Sequence, residues 1–324
     1  MTGKAYDQKL DALFALRGNQ NSDAAVPHLR KALRDRSNYY VAKAAALVAE
    51  LGLKLLMPDL VEAFDRFLAG GAKLDAQCWA KQAIAEALAE LGHDDPVVFI
   101  KGIQHFQPEP VWGGQQDTAV RLRGICTLAL VQCNISEFEL LTRLVGLLGD
   151  PEKGVRMEAI RAIGQCTGRD AGLLLRVKAT AGDSDAEVTG QCLATLLDMD
   201  ADEHLAYVSR FLTASDDVRF EALAALSECR DPRGAQEIIN SLKRSQDIDI
   251  QEEMMLALGR SRHQLAVDFL LQEVEHGKVA SASVCVIALA RGAAKETVRE
   301  QIAELVRRRA IEALTRLAAK EFAE

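Results

Sequence analysis

The 324-residue chain carries six histidines, seven cysteines and 47 carboxylates, and the spacing of these groups decides whether they amount to chemistry. His28, His93, His105, His204, His263 and His276 form no HExxH and no close pair, so the ligand spacing of a zinc site is missing. No CxxC occurs. Cys126, Cys192 and Cys285 fall within apolar helical patterns, where a small buried thiol explains them. An odd number of cysteines without a secretion signal reads as reduced thiols. The glycine patterns that cradle phosphates or seat a serine nucleophile, GxGxxG, GxxxxGK(S/T) and GxSxG, do not appear. The isolated carboxylates read as solvated helix faces. No catalytic residue, no metal and no cofactor is expected, and the chain reads as a non-enzyme.

One segment has the residue types of a recognition element instead: His105-Phe106-Gln107-Pro108-Glu109-Pro110-Val111-Trp112-Gly113-Gly114-Gln115-Gln116-Asp117-Thr118. Two prolines stiffen it, two glycines permit unusual dihedrals, and Trp112 is a large aromatic between them. Eleven of the sixteen aromatics lie in the first 138 residues, and Tyr39, Tyr40, Trp79 and Trp112 fall at or just before helical segments. Basic residues Lys43, Lys81, Arg121, Arg123 and Arg156 recur at similar places. Exposed aromatics and arginines dominate binding hot spots. The candidate binding residues are therefore Tyr40, Trp79, Lys81, Glu109, Trp112, Asp117, Arg121, Arg123 and Arg156. Two structural readings compete: Trp112 folds back as a plug beneath Phe106 and Leu128, and Arg121, Arg156 and Arg219 form a ladder of ion pairs with aspartates of adjacent repeats.

The elements that must position these residues follow from an internal period. Val120, Val155, Val188, Val218 and Ile250 are spaced by 35, 33, 30 and 32 residues. Four positions on stand Gly124, Ala159, Cys192, Ala222 and Met254, mostly small; eight on stand Leu128, Ile163, Leu196, Leu226 and Leu258, all aliphatic. Residues four apart share a helix face, so small residues admit a neighbouring helix while aliphatics fill its groove. Ahead of these helices stand Asp35, Asp75, Asp117, Asp150, Asp183, Asp216 and Asp247, and a short carboxylate there accepts unpaired backbone N–H groups at the positive end of the helix dipole. Amphipathic segments such as Pro96 to His105, Glu137 to Leu148 and His263 to Glu275 lie between, so each repeat is two antiparallel helices.

The run Leu147-Leu148-Gly149-Asp150-Pro151, followed by Val155-Arg156 and Glu158-Ala159-Ile160-Arg161-Ala162-Ile163-Gly164, resembles the HEAT repeat, including the HEAT-like variety of bacterial phycobilisome-lyase-type proteins. The resemblance implies an all-α, right-handed α-solenoid of about eight helical hairpins without a sheet. The resemblance covers about residues 23–291, and the chain reads as one domain over 1–324: an N-terminal cap over 1–22, three longer repeats over 23–134 with the 106–118 loop inserted, five regular repeats over 135–291, and one long C-terminal capping helix over 292–324. The resemblance further implies a concave face lined by the second helix of each repeat. A HEAT-like lyase would handle a bilin, and HEAT-like alkylpurine DNA glycosylases use a basic concave groove.

Composition bounds the partner. With 39 basic against 47 acidic residues the chain is net −8, against the basic footprint that nucleic acid requires. Residues 1–138 are net −1 and the remainder net −7. Apolar runs fall short of the 18 or more residues of a membrane span. The expectation is a cytoplasmic, monomeric scaffold holding a protein or peptide on its concave face, with nucleic acid and membrane disfavoured.

Overall fold

A computed structural model describes residues 3–18 and 22–322. Contacts group the chain into two compact units, Met1–Cys166 and Thr167–Glu324. The first contains α1 (Gly3–Phe14), α2 (Ser22–Leu33), α3 (Asn38–Glu50), α4 (Met57–Leu74), α5 (Trp79–Glu90), α6 (Pro96–Ile103), strands β1 (Pro108–Val111) and β2 (Gly114–Asp117), then α7 (Val120–Leu130), α8 (Glu137–Leu147) and α9 (Lys153–Ile163). Helices pair as hairpins α2/α3, α4/α5, α6/α7 and α8/α9, and hairpins stack through their second helices, α3 on α5, α5 on α7 and α7 on α9. This nearest-neighbour packing is that of a HEAT-like helical array.

The seam consists of small and aliphatic residues about four apart on the second helices, and in α9 they are the ones that the period singles out. Val41, Ala44 and Val48, then Ile84 and Leu88, then Leu122, Cys126 and Leu130, then Val155, Ala159 and Ile163 are all at most 1% exposed. Each fully buried aliphatic contributes about 1.5–3 kcal/mol. The third repeat shows that its register is shifted by two from the expected one: Val120 is only half-buried and Leu128 is 36% exposed, while Leu122, Cys126 and Leu130 face inward. Counted from the preceding aspartate, Leu122 corresponds to Val155 and Val188. A β-carbon added at Gly102 of α6 would lie 2.2 Å from the Cys126 sulfur, so α6 and α7 approach closely only because position 102 is glycine.

The aspartates act as helix-start acceptors. Asp35 takes the Ser37 amide at 2.8 Å, Asp117 the Ala119 amide at 2.9 Å, Asp150 the Glu152 amide at 2.9 Å and Asp183 the Asp185 amide at 3.0 Å. Asp247 takes the amides of Asp249 and Ile250. Asp216 differs, since it lies in the first turn of its helix and pairs with Arg219 at 2.9 Å.

The second unit contains α10 (Arg169–Ala181), α11 (Ala186–Met199), α12 (Ala201–Ser209), α13 (Asp216–Glu228), α14 (Arg233–Arg244), α15 (Ile248–Leu258), α16 (Gln264–His276), α17 (Val279–Arg291), α18 (Lys295–Arg309) and α19 (Glu312–Glu321). Again second helices stack, α11 on α13, α13 on α15 and α15 on α17. The single long C-terminal helix expected from the sequence is instead a further hairpin: Ala310 takes φ 51° and breaks it, so that α18 packs on α16 and α19 on α17. The apolar face of α19, with Leu314 and Ala318 buried, needs a helix of its own to reach α17. The expectation of no sheet is also corrected, because 106–118 contains the antiparallel hairpin β1–β2, in register Pro108↔Asp117 to Val111↔Gly114.

Candidate functional site

The β1–β2 hairpin is anchored at its base by a buried polar network that ties three repeats together. Asp75 is fully buried and accepts the Ala80 amide at 2.9 Å, the Lys81 amide at 3.1 Å and Asn38 Nδ2 at 3.1 Å. Lys81 Nζ, equally buried, lies 3.2 Å from Asp75 Oδ2 and donates to Gln107 Oε1 at 2.8 Å. Gln107 Nε2 returns to the Asp75 carbonyl at 2.8 Å and to Glu109 Oε1 at 2.7 Å. Glu109 Oε1 also accepts Thr118 Oγ1 at 2.6 Å and the Gln77 amide at 2.7 Å. That last bond clamps a strained turn, since Gln77 and Cys78 take φ 59° and 55°, a region that side-chain-bearing residues rarely occupy.

A second clamp lies at the strand exit. Arg123, with no exposed surface, donates Nε and Nη2 to the two carboxylate oxygens of Asp150 at 2.9 and 3.1 Å, and Nη1 to Asp117 at 2.5 Å and the His105 carbonyl at 3.1 Å. Its guanidinium lies 4.1 Å from the centre of the Phe106 ring. Burial by itself would raise the Asp117 carboxyl, but hydrogen bonds from the Gln107 and Ala119 amides and from Arg123 outweigh it and hold it below its ordinary value. Glu109 follows the same balance, with Thr118, Gln107 and the Gln77 amide overcoming the effect of burial. Burial pushes His105 down toward its neutral form, although its contact with Gln107 opposes this.

The tip of the hairpin is the opposite of its base. Gly113 at φ 91° closes a two-residue turn, and Trp112 beside it is fully exposed, at 103% of its reference area. Phe106 and Val111 are also exposed. The plug reading of Trp112 is thereby overturned, because the hairpin carries it outward instead of folding it under Phe106 and Leu128. The starts of α3 and α5 expose two more aromatics, Tyr39 and Trp79, whose rings meet edge-to-face at 5.5 Å with Lys43 Nζ 5.1 Å above Tyr39.

The nine candidate residues thus divide. Trp79 and Trp112 are offered to solvent, and Arg121 is exposed but paired with Glu86 at 2.6 Å. Glu109 and Asp117 are half-buried and hold the hairpin. Four are corrected as surface residues: Tyr40 is buried beneath Lys9, Lys81 and Arg123 are consumed in the two clamps, and Arg156 is buried and donates to the carbonyls of Asp150 and Pro151 at 2.9 and 3.1 Å. For Arg123 the physical reason is the shifted register of the third repeat. Arg123, six residues after Asp117 as Arg156 is six after Asp150, is the arginine that reaches the next repeat's aspartate, whereas Arg121 points outward to Glu86. Arg219 reaches the following second helix as the ladder reading expects, but its partner there is the glutamate Glu253, at 3.0 Å, and its aspartate partner is Asp216 of its own helix. Gln107, Thr118 and Asn38 were not singled out by the sequence. Polar residues of a loop and a helix start carry no periodic signal, although the count from each aspartate would have exposed the role of Arg123.

Among the described residues no three His, Cys, Asp or Glu side chains come together as a metal-binding set. No described helix is long and apolar enough to cross a membrane.

No protein-family model matches the chain, and no curated protein matches its sequence. Among solved structures, it is similar to the complex of CpcE and CpcF of phycocyanin lyase from Nostoc sp. PCC7120, at 12% identity and a TM-score of 0.36, covering 80% of this chain and 93% of that one. It is also similar to human deoxyhypusine hydroxylase in complex with glycerol, at 18% identity and a TM-score of 0.29, covering 77% of this chain and 88% of that one. At this level of likeness the helical-hairpin architecture stands on its own packing.

Proposed function

We propose that the protein is a non-catalytic, monomeric binding or scaffold protein of the cytoplasm that holds a protein or peptide through its first unit. The contact surface is the β1–β2 hairpin together with the aromatic edge of Tyr39 and Trp79, on the side of the second helices that a HEAT-type array presents as its concave face. One observation carries this reading: a tryptophan with its whole surface in water stands on a two-residue turn whose base is fixed by two buried ion-pair networks. Solvent exposure of so large an apolar ring is unfavourable in isolation, and tryptophans anchored on rigid scaffolds are the commonest binding hot spots. Pro108 and Pro110 support it, since they deprive β1 of amide donors and discourage edge-to-edge pairing of the hairpin. Of Lys81, Arg121 and Arg123, the basic residues that a nucleic-acid reading needs, Lys81 and Arg123 are buried and Arg121 is paired with Glu86.

The test is affinity capture from the native host with the full chain, Trp112→Ala and Phe138→Ala, the last an exposed aromatic of α8 outside the hairpin. A partner recovered with the wild type and Phe138→Ala and depleted about tenfold or more with Trp112→Ala is the expected outcome. Equal recovery with all three removes the hairpin from the binding surface.

A further inference from the structure

The second unit holds a feature of different chemistry. The segments at the ends of α13, α15 and α17 border an open cavity of about 630 Å³, whose lining includes Arg230, Arg260, Arg262, His263 and Glu228. That volume lies in the usual range of small-molecule sites, about 300–1,000 Å³. Three arginines and one glutamate contribute to the lining, in the part of the chain whose net charge is −7 beyond residue 138.

The arginines of the lining are exposed and make few contacts with protein groups. Among the described residues, the Arg262 side chain makes no ion pair or hydrogen bond, and Arg260 makes only a stacking contact, 5.1 Å above the Phe220 ring, which leaves its N–H edge free. Arg230 approaches Asp198 only at 4.0 Å, with both side chains exposed. Two arginines outside the cavity are engaged, Arg233 with Asp202 and Asp231 and Arg219 with Asp216 and Glu253. Helix dipoles account for part of the cluster, because Arg230 and Arg260 follow the C-terminal ends of α13 and α15, where cations are favoured. They do not account for Arg262. It precedes the N-terminus of α16, the positive end, where a cation is disfavoured and where His263 supplies no side-chain cap.

The walls are fixed. His263 Nε2 donates to the Cys229 carbonyl at 2.8 Å, the His263 amide donates to Ser261 Oγ at 3.3 Å, and the Ala293 amide donates to the Gly259 carbonyl at 3.2 Å. The 260–263 segment is therefore held against the end of α13, and Arg260 and Arg262 both contribute to the lining of the cavity.

We infer that this cavity binds a phosphorylated small molecule, with the phosphoryl group held by Arg260 and Arg262 and supported by Arg230. A planar guanidinium presents paired N–H groups that match phosphate oxygens, and a dianion can satisfy more than one such fork. A lone carboxylate engages one fork and leaves the others bare. The anion also supplies the negative charge that the uncapped start of α16 lacks.

Isothermal titration calorimetry on the full chain tests this with pyrophosphate, a phosphoserine peptide and a glutamate-rich peptide as probes. Pyrophosphate is expected to bind saturably at one site, more tightly than either peptide. The variant combining Arg260→Gln and Arg262→Gln is expected to weaken it by about tenfold or more, while Arg244→Gln, which lies at the end of α14 outside the cavity, leaves it unchanged. Both changes are at exposed side chains, and an unaltered far-ultraviolet circular-dichroism spectrum verifies that the fold is retained. Absence of saturable heat, equal weakening by Arg244→Gln, or tighter binding of either peptide overturns the inference.

Discussion

Replacing Lys81 by methionine isolates the ion pair on which the hairpin rests. Methionine keeps the apolar stem of lysine and removes the ammonium, so the core volume changes little. The loss falls on Asp75, which is fully buried and left without its cation, and on Gln107, which loses the donor at 2.8 Å. Breaking a buried pair from one side costs about 3–5 kcal/mol. Asp75 still receives two backbone amides and Asn38 Nδ2, so the lower end, about 3 kcal/mol, applies. For a unit the size of Met1–Cys166, about 2–4 °C is lost per kcal/mol, which gives a fall in melting temperature of about 6–12 °C. Thermal unfolding followed at 222 nm measures it, and hydrogen exchange should show faster opening of 107–118. Combining Lys81→Met with Asp75→Asn should recover part of the loss, because no unpaired charge remains. A fall smaller than about 2 °C, or a double variant no more stable than the single one, refutes the argument that this pair is desolvated and structurally required.

Ala159→Arg forces a long cation into the fully buried contact between α9 and α7, and a loss of about 3 kcal/mol or more is expected; an unchanged melting temperature rejects the seam. Acidification should destabilise the first unit, because Glu109 and Asp117 have folded values below their ordinary ones. Their contribution is complete above the unfolded value of about 4 and disappears as pH falls through the lowered folded value, so Glu109→Gln should lose less stability than the wild type between pH 6 and pH 3. Equal losses contradict the role of Glu109. The thiols should be inert toward a disulfide reagent at neutral pH, since burial pushes Cys78, Cys133 and Cys166 up to about 11 and Cys192 to about 12, and all seven should react once the chain is unfolded. Rapid labelling of the native chain, seen by absorbance, is the contrary result.

The period of about 33 residues, the small residues of the seam and the aspartates ahead of each second helix are local signals, and by themselves they determined the stacked helical hairpins. Side-chain period and capping act within one or two turns, so one sequence suffices to read them. Register in the third repeat departs from the expected one because Val120 is the apolar residue that opens the helix, although Leu122, 33 residues before Val155, fits the period better and the partner helices select Leu122 and Cys126. That two-residue shift also exchanged the roles of Arg121 and Arg123: one is solvated beside Glu86, the other buried between Asp117 and Asp150.

The sequence likewise marked 106–118 as an insertion but left open whether Trp112 lies inside or outside. That choice is tertiary. It depends on Gln107 and Glu109 finding Lys81, Gln77 and Thr118, residues 9–32 positions away in the chain, and so fixing the hairpin base while the turn projects outward. The vacant guanidiniums of Arg260 and Arg262 were equally invisible in one dimension, because whether an arginine has a partner depends on the neighbouring helices. Local propensity therefore determined the elements and their repetition, whereas burial, ion pairing and the display of Trp112 were decided only when hairpins from different repeats met.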